Sequence, residues 1–228
     1  APEELRRQFA HCKALCAALG LAVLANHEYE ADDLIGSALH RARPAGYRGL
    51  IVSADKDLSQ LLGEHDEQWD YARATRWGAD GVKARHGVHA HQIADYLALS
   101  GDAVDNIPGV TGIGAKTAAV LLAHFGSLDA LLERVDEVAF LRLRGAAQVA
   151  ARLRGQREQA LLWRRLTTIA CDAPLGYDDP AAHRAEVDPE MLEALATTLR
   201  FGPMTRRRLR AAAGLDGDGA VPPAPVSA

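Results

Sequence analysis

Apolar positions recur at helical spacing over residues 2–19 and the pattern stops at Gly20, so the chain is expected to open with a helix. Residues 21–24, Leu-Ala-Val-Leu, then read as a short buried strand, with residues 26–30 as the loop after it. A second helical pattern covers residues 31–43, with acids in its first turn where the helix dipole favours them. Residues 50–53, Leu-Ile-Val-Ser, are a second buried strand, and residues 68–71 a candidate third. Beyond His89 the chain turns helical. Strand, helix, strand, helix in this order predicts an α/β core with a mostly parallel sheet flanked by helices. The expected division is an α/β core over residues 1–95, a helical portion over 96–213 and a disordered tail rich in Gly, Pro and Ala over 214–228.

In a sheet of this kind ligands collect beyond the carboxyl ends of the strands. Glu30, Asp32 and Asp33 follow the first predicted strand, and Asp55 and Asp57 follow the second, so both groups are expected on one rim. Asp102 and Asp105 stand three apart, which on a helical turn would place their carboxylates on one face. Next comes Gly109-Val110-Thr111-Gly112-Ile113-Gly114, and Lys116-Thr117 begins a helix whose apolar positions run over residues 118–122. Glycines at this spacing permit positive φ and predict a hairpin between helices. Its exposed amides, the positive helix N-terminus and Lys116 suit a phosphate group.

Taken singly, the acids have structural readings: Glu30 as a capping residue, Asp32 and Asp33 as helix starts, Asp55 as a cap for a helix from Lys56. Gathered on one rim, the seven carboxylates Glu30, Asp32, Asp33, Asp55, Asp57, Asp102 and Asp105 would raise one another's pKa and destabilise the fold unless cations were bound. Hard oxygen donors without histidine or thiol point to Mg²⁺ or Mn²⁺ rather than zinc. Two such ions about 4 Å apart can activate a water and stabilise the leaving oxygen of a phosphodiester.

The net charge of −4 at first argues against a nucleic-acid partner, but the average hides a segregation. Residues 26–105 hold 14 acids against 8 Lys or Arg, whereas residues 134–165 hold 8 arginines against 3 acids. Three cysteines, Cys12, Cys16 and Cys171, are too few and too scattered for a disulfide framework and are expected to be buried free thiols. No run of 18 apolar residues and no export signal is present, and with free thiols this implies a cytoplasmic protein.

Three segments carry a family resemblance. YLALSGDAVDNIPGVTGIGAKTAAVLL, from Tyr96 to Leu122, resembles the helix-hairpin-helix signature of the 5′ nuclease family, the bacterial and phage 5′-3′ exonucleases and flap endonucleases. Tyr29-Glu30-Ala31-Asp32-Asp33-Leu34-Ile35-Gly36 is similar to that family's acidic helix, and Val52-Ser53-Ala54-Asp55-Lys56-Asp57-Leu58-Ser59-Gln60-Leu61 to its acidic strand end.

The resemblance implies a structure-specific, divalent-metal-dependent nuclease that cuts DNA bearing 5′ flaps, overhangs or gaps, leaves a 5′-phosphate and needs no obligate protein partner. It implies that Glu30, Asp32 and Asp33 serve mainly a first metal, and Asp55, Asp57, Asp102 and Asp105 a second. Gly109, Val110, Gly112, Ile113, Gly114, Lys116 and Thr117 would hold duplex DNA, and the carbonyls of Val110 and Ile113 a K⁺ ion. Family members begin with a strand carrying an aspartate and a helical arch. This chain starts at what looks like the following helix, so it is expected to be amino-terminally incomplete, short of first-site ligands and slow or inactive in cleavage. Its Pro- and Ala-rich ending favours a stand-alone exonuclease over a polymerase fragment. The alternative is a non-catalytic duplex-binding module built on the hairpin.

Overall fold

The computed structural model describes residues 2–180 and 183–216. They fall into two compact units, one combining Ala1–Ala25 with Gly176–Ala228 and the other Asn26–Leu175. The second holds every candidate site residue.

The first unit contains α1 (Glu3–Ala18), α9 (Pro189–Thr198) and α10 (Pro203–Ala213). Helix α1 stops as expected, with Gly20 at φ +73°. The strand expected at residues 21–24 does not form, and Leu21 and Val23 are exposed. A strand needs a partner to satisfy its ladder, and this segment pairs with no strand among the described residues. The cysteines are free, but the expected burial is not found: Cys12 is exposed, and Cys16 and Cys171 are only partly covered. Helix α1 fully buries Ala18 alone and leaves Cys16 half-buried, while Cys171 packs at the edge of the core of the second unit. Of the tail expected to be disordered, Gly214 ends α10 in a left-handed conformation and Asp216 pairs with Arg210, while residues 217–228 lie outside the described residues.

The second unit is an α/β core followed by helices. After α2 (Ala31–Ala42) come β1 (Leu50–Val52), a short 3₁₀ turn over Asp57–Leu61, β2 (Glu67–Asp70), β3 (Thr75–Gly78) and α3 (Ala79–His86). The sheet has the order β1-β2-β3, with β1 parallel to β2 and β2 antiparallel to β3. Ile51 lies opposite Gln68, and Gln68 opposite Trp77, so one buried row crosses the sheet, as the two-residue period of strands requires. The hairpin partner β3 had no sequence expectation. Its four residues hold only one inward apolar side chain, Trp77, too little pattern to read.

The helical portion comprises α4 (Ile93–Ser100), α5 (Ala115–Phe125), α6 (Leu128–Glu133), α7 (Ala146–Gly155) and α8 (Arg157–Thr167). In α5, Ala118, Leu121, Leu122 and Phe125 are buried, the i, i+3, i+4, i+7 stripe of a core-facing helix. Leu97, Leu121, Leu122 and Leu153 belong to the same continuous core as Ile51, Leu58 and Trp77. Each leucine buried there contributes about 1.5–3 kcal/mol. The helices are thus packed directly against the segment that carries the acids. Among the described residues no helix is long and apolar enough to cross a membrane.

Candidate metal centre and glycine hairpin

The chain leaving β1 is held from beneath by Gln68, whose side chain has no exposed surface. Its Nε2 donates to the carbonyls of Ser53 at 3.1 Å and Asp55 at 2.5 Å, and its Oε1 accepts from Ser59 Oγ at 2.7 Å. Trp77 Nε1 donates to the same hydroxyl at 3.2 Å. Above this brace Asp55 Oδ1 accepts from the Asp57 amide at 3.0 Å, a local bond just before the 3₁₀ turn, whose N-cap position is Lys56, while Oδ1 of Asp57 is buried.

Asp102 and Asp105 do not lie on a helical turn. Helix α4 ends at Ser100, and residues 102–107 form a turn closed by paired backbone bonds between Asp102 and Ile107 of 2.8 and 2.7 Å. Gly101 at φ +81° and Asn106 at φ +59° make this reversal possible. Asp102 Oδ1 accepts the Val104 amide at 3.0 Å. The turn achieves what a helical turn would have: Asp57, Asp102 and Asp105 offer carboxylate oxygens that all lie within 4.8 Å of one another.

Lys56 completes this cluster. Its ammonium is hydrogen-bonded to Asp102 and lies 3.6 Å from Asp57 Oδ1, too far for a hydrogen bond. Burial would lower its pKa, but the bond to Asp102 and the surrounding carboxylates outweigh that and raise it. Asp57 Oδ1 is itself buried without a hydrogen-bond partner. Burial, with Asp55, Asp102 and Asp105 alongside and only Lys56 opposing, pushes the Asp57 carboxyl up to about 7. An orphaned buried oxygen in an all-oxygen set fits a hard divalent cation. Sequence reasoning missed Lys56; its place between Asp55 and Asp57 was the available signal.

The acids at the start of α2 sit in the same cleft. A cavity of about 1040 Å³ is lined by Glu30, Asp32, Asp33, Asp55, Asp57 and Asp105 on one side and by residues 165–170 on the other. Asp102, 5 % exposed, is not part of its lining. Glu30 and Asp33 form a capping box, with the Glu30 amide donating to Asp33 Oδ2 at 3.1 Å, and Asp33 Oδ1 accepts the Ala170 amide at 2.8 Å. Asp33 thus has a structural duty on each oxygen. Asp32 does not, and burial together with Asp55, Glu30, Asp33 and Asp105 raises its pKa.

The hairpin is anchored by Val110 and Ile113, which are 2 % and 3 % exposed, and by Val110 N–H donating to Leu99 O at 2.9 Å. Gly109, at φ +69°, passes so close to α4 that a β-carbon would stand 2.7 Å from the Ser100 carbonyl carbon. Gly114 caps α5 with extended backbone and nothing within 4 Å of a β-carbon position. Gly114, Ala115 and Lys116 are all exposed, the first-turn amides of α5 have no partner within the helix, and Lys116 has no ion pair among the described residues.

A resolvase-like fold, an acidic cleft and a glycine hairpin between helices match one family along most of the chain. The N-terminal resolvase-like domain of the 5′-3′ exonucleases matches residues 1–87, and their C-terminal SAM fold matches residues 88–190. The chain belongs to the 5′-3′ exonuclease family. Among its relatives, DNA polymerase I of Pseudomonas aeruginosa is 40% identical over 225 residues, 97% of this chain and 24% of that protein. The thermostable DNA polymerase I of Thermus aquaticus is 40% identical over 206 residues, 88% of this chain and 23% of that one. The chain therefore spans 24% or less of the length of these two relatives. In fold it is similar to the bacteriophage T5 D15 flap endonuclease in a pseudo-enzyme-product complex with DNA and metal ions, with TM-score 0.60, 19% identity, and 92% of this chain and 66% of that chain covered. The zinc-bound T5 5′-exonuclease gives TM-score 0.57 at 18% identity, over 85% of this chain and 62% of that one.

Proposed function

We propose that this chain carries a structure-specific, divalent-metal-dependent 5′-3′ nuclease activity on DNA. The observation that carries the reading is the cluster of Asp57, Asp102 and Asp105, with the buried Asp57 Oδ1 left without a hydrogen bond. Asp57, Asp102 and Asp105, with Asp55 at the cleft edge, would hold one Mg²⁺ or Mn²⁺, and Glu30, Asp32 and Asp33 would contribute to a second. Such ions, when bound, lower the pKa of a water and stabilise the leaving oxygen of a phosphodiester. The protein's part is to place the carboxylates, with Lys56 holding Asp102 in register and Asp33 fixing the start of α2.

The hairpin residues Gly109, Val110, Gly112, Ile113, Gly114, Lys116 and Thr117 would dock the duplex backbone, with the Val110 and Ile113 carbonyls facing a K⁺ ion. The substrate would be cytoplasmic DNA with 5′ flaps, overhangs or gaps. The functional division would run near residue 95, separating the acidic core from the hairpin portion. Support comes from the family membership, from relatives that are DNA polymerase I proteins and from the T5 flap endonuclease, whose complex holds DNA and metal ions.

The test is cleavage of a 5′-labelled flap by the full-length gene product, with Asp57→Asn beside it. Metal-dependent release of label that Asp57→Asn abolishes is expected. Tight duplex binding without any metal-dependent cleavage would leave the hairpin as a non-catalytic binding module.

A further inference from the structure

Eight arginines lie between residues 134 and 165, but the structure divides them. Arg154 pairs with Asp136, Arg164 with Asp129 and Arg134 with Glu137, while Arg157 donates to the Leu132 carbonyl at 2.7 Å. Arg142, Arg144, Arg152 and Arg165 have neither a carboxylate nor a carbonyl partner among the described residues. Of these, Arg152 is the one that the hairpin's glycines meet. Its guanidinium fills the space that a β-carbon on Gly112 would take, with Cζ 2.7 Å from that position, and Gly112 stands at φ +76°.

The neighbouring contact fixes the same place. Gln156 Oε1 accepts from both the amide and the hydroxyl of Thr111, each at 3.1 Å. Arg152 and Gln156 are four residues apart, one turn along the end of α7, so this helix end grips two consecutive residues of the hairpin. An arginine laid along a hairpin has already lost part of its rotamer freedom, and its planar fork matches the paired oxygens of a phosphate.

We propose that Arg152 is a phosphate ligand of the hairpin, gripping the backbone of a DNA duplex together with Lys116 and the first-turn amides of α5. Gly112 is then a glycine to admit the guanidinium, not to admit the phosphate. The proposal rests on the reading of the hairpin as a duplex-docking element.

The experiment is a fluorescence-anisotropy titration of a labelled duplex over a salt series, using the full-length protein. The variants are Arg152→Ala, Arg152→Lys, Lys116→Ala, Gly114→Val and the Asp136-paired control Arg154→Ala. Arg152→Ala should weaken binding roughly tenfold, the size of one lost charge-assisted contact. Its slope of log K against log salt should become shallower by about 0.9. Arg152→Lys should keep the slope and recover only part of the affinity, because a point charge lacks the fork. Arg154→Ala should behave as the parent protein, and the exposed Arg152 should leave thermal unfolding unchanged. If Arg152→Ala matches the parent in affinity and slope while Lys116→Ala binds more weakly, the proposal is wrong and the hairpin reading stands. Weaker binding with an unaltered slope would also overturn it, since that marks a buttress and not a phosphate contact. If no hairpin variant changes binding, the docking reading itself fails and the proposal falls with it.

Discussion

Gln68 on the central strand holds the carbonyl of Asp55, and through it the direction in which the acidic loop leaves the sheet. The bond is 2.5 Å long and is made by an amide with no exposed surface. The side chain also ties in Ser53 and Ser59, so the turn that aims Asp57 at Asp102 and Asp105 rests on one buried glutamine.

Replacing Gln68 by leucine removes the partner of two half-buried carbonyls and the acceptor of the buried Ser59 hydroxyl, which keeps only its bond from Trp77; an unsatisfied buried polar group costs about 1–3 kcal/mol. Urea unfolding in EDTA should show a loss of at least about 2 kcal/mol. Mn²⁺ affinity, read by electron paramagnetic resonance on the folded protein, should fall at least about tenfold, as for other residues that support a ligand without touching the metal. A destabilised variant with unaltered Mn²⁺ affinity would separate the brace from the metal centre.

Millimolar Mn²⁺ should raise the melting temperature of the protein, because a ligand that prefers the folded state stabilises it by mass action, about 2.7 kcal/mol at a hundredfold excess over Kd. In the double variant Asp102→Ala, Asp105→Ala that response should vanish. Equal shifts in both proteins would remove these two aspartates from the account.

The Asp57 carboxyl gives a pH signature. Its folded pKa, raised to about 7, lies above its value of about 3.9 in an unfolded chain, so the folded state binds the extra proton between those limits. Without metal, this group's contribution to stability should therefore decline as pH rises from about 4 to about 7 and level off above. Added Mn²⁺ competes with that proton, so the stabilisation it gives should grow over the same window. Thermal melts at pH 5, 6, 7 and 8, with Mn²⁺ or EDTA, measure both trends; a Mn²⁺ shift independent of pH would argue that Asp57 is not a ligand.

Two glycines of the hairpin should separate folding from binding. Gly109→Ala forces a β-carbon against the Ser100 backbone at positive φ, and the left-handed conformation alone costs a non-glycine residue about 1–2 kcal/mol. Circular dichroism melts should show a marked loss of stability. Gly114→Val meets open space, so the fold should hold while duplex affinity drops alike for all sequences, as phosphate contacts position without reading bases. The reverse pattern would reassign the outward face of the hairpin.

Much was legible from local chemistry. The apolar stripe of α5 announces its helix, the glycines announce the turn before it, and the short apolar run of β1 ends at the acids that follow it. These features depend on neighbours a few residues away, which a sequence displays directly. Asp102 and Asp105 show where that reading stops. A spacing of three suits a helix and a tight turn equally, and Gly101 with Asn106 tipped the backbone toward the turn.

The sequence by itself determined the family, the kinds of side chain at the site and the donor chemistry, because those are properties of residue type and order. Which acids meet was decided by tertiary structure alone. Asp57 reaches Asp102 across 45 residues because α4 packs in the same core as Leu58, and Asp33, a local cap for the Glu30 amide, gains its second tie because the Ala170 amide arrives from the chain just beyond α8. The roles of Lys56, Gln68 and Arg152 come from contacts with chain that is distant in sequence, and periodicity carries no record of those. Burial then turned a common aspartate into one titrating near 7, a property of its surroundings and not of its letter.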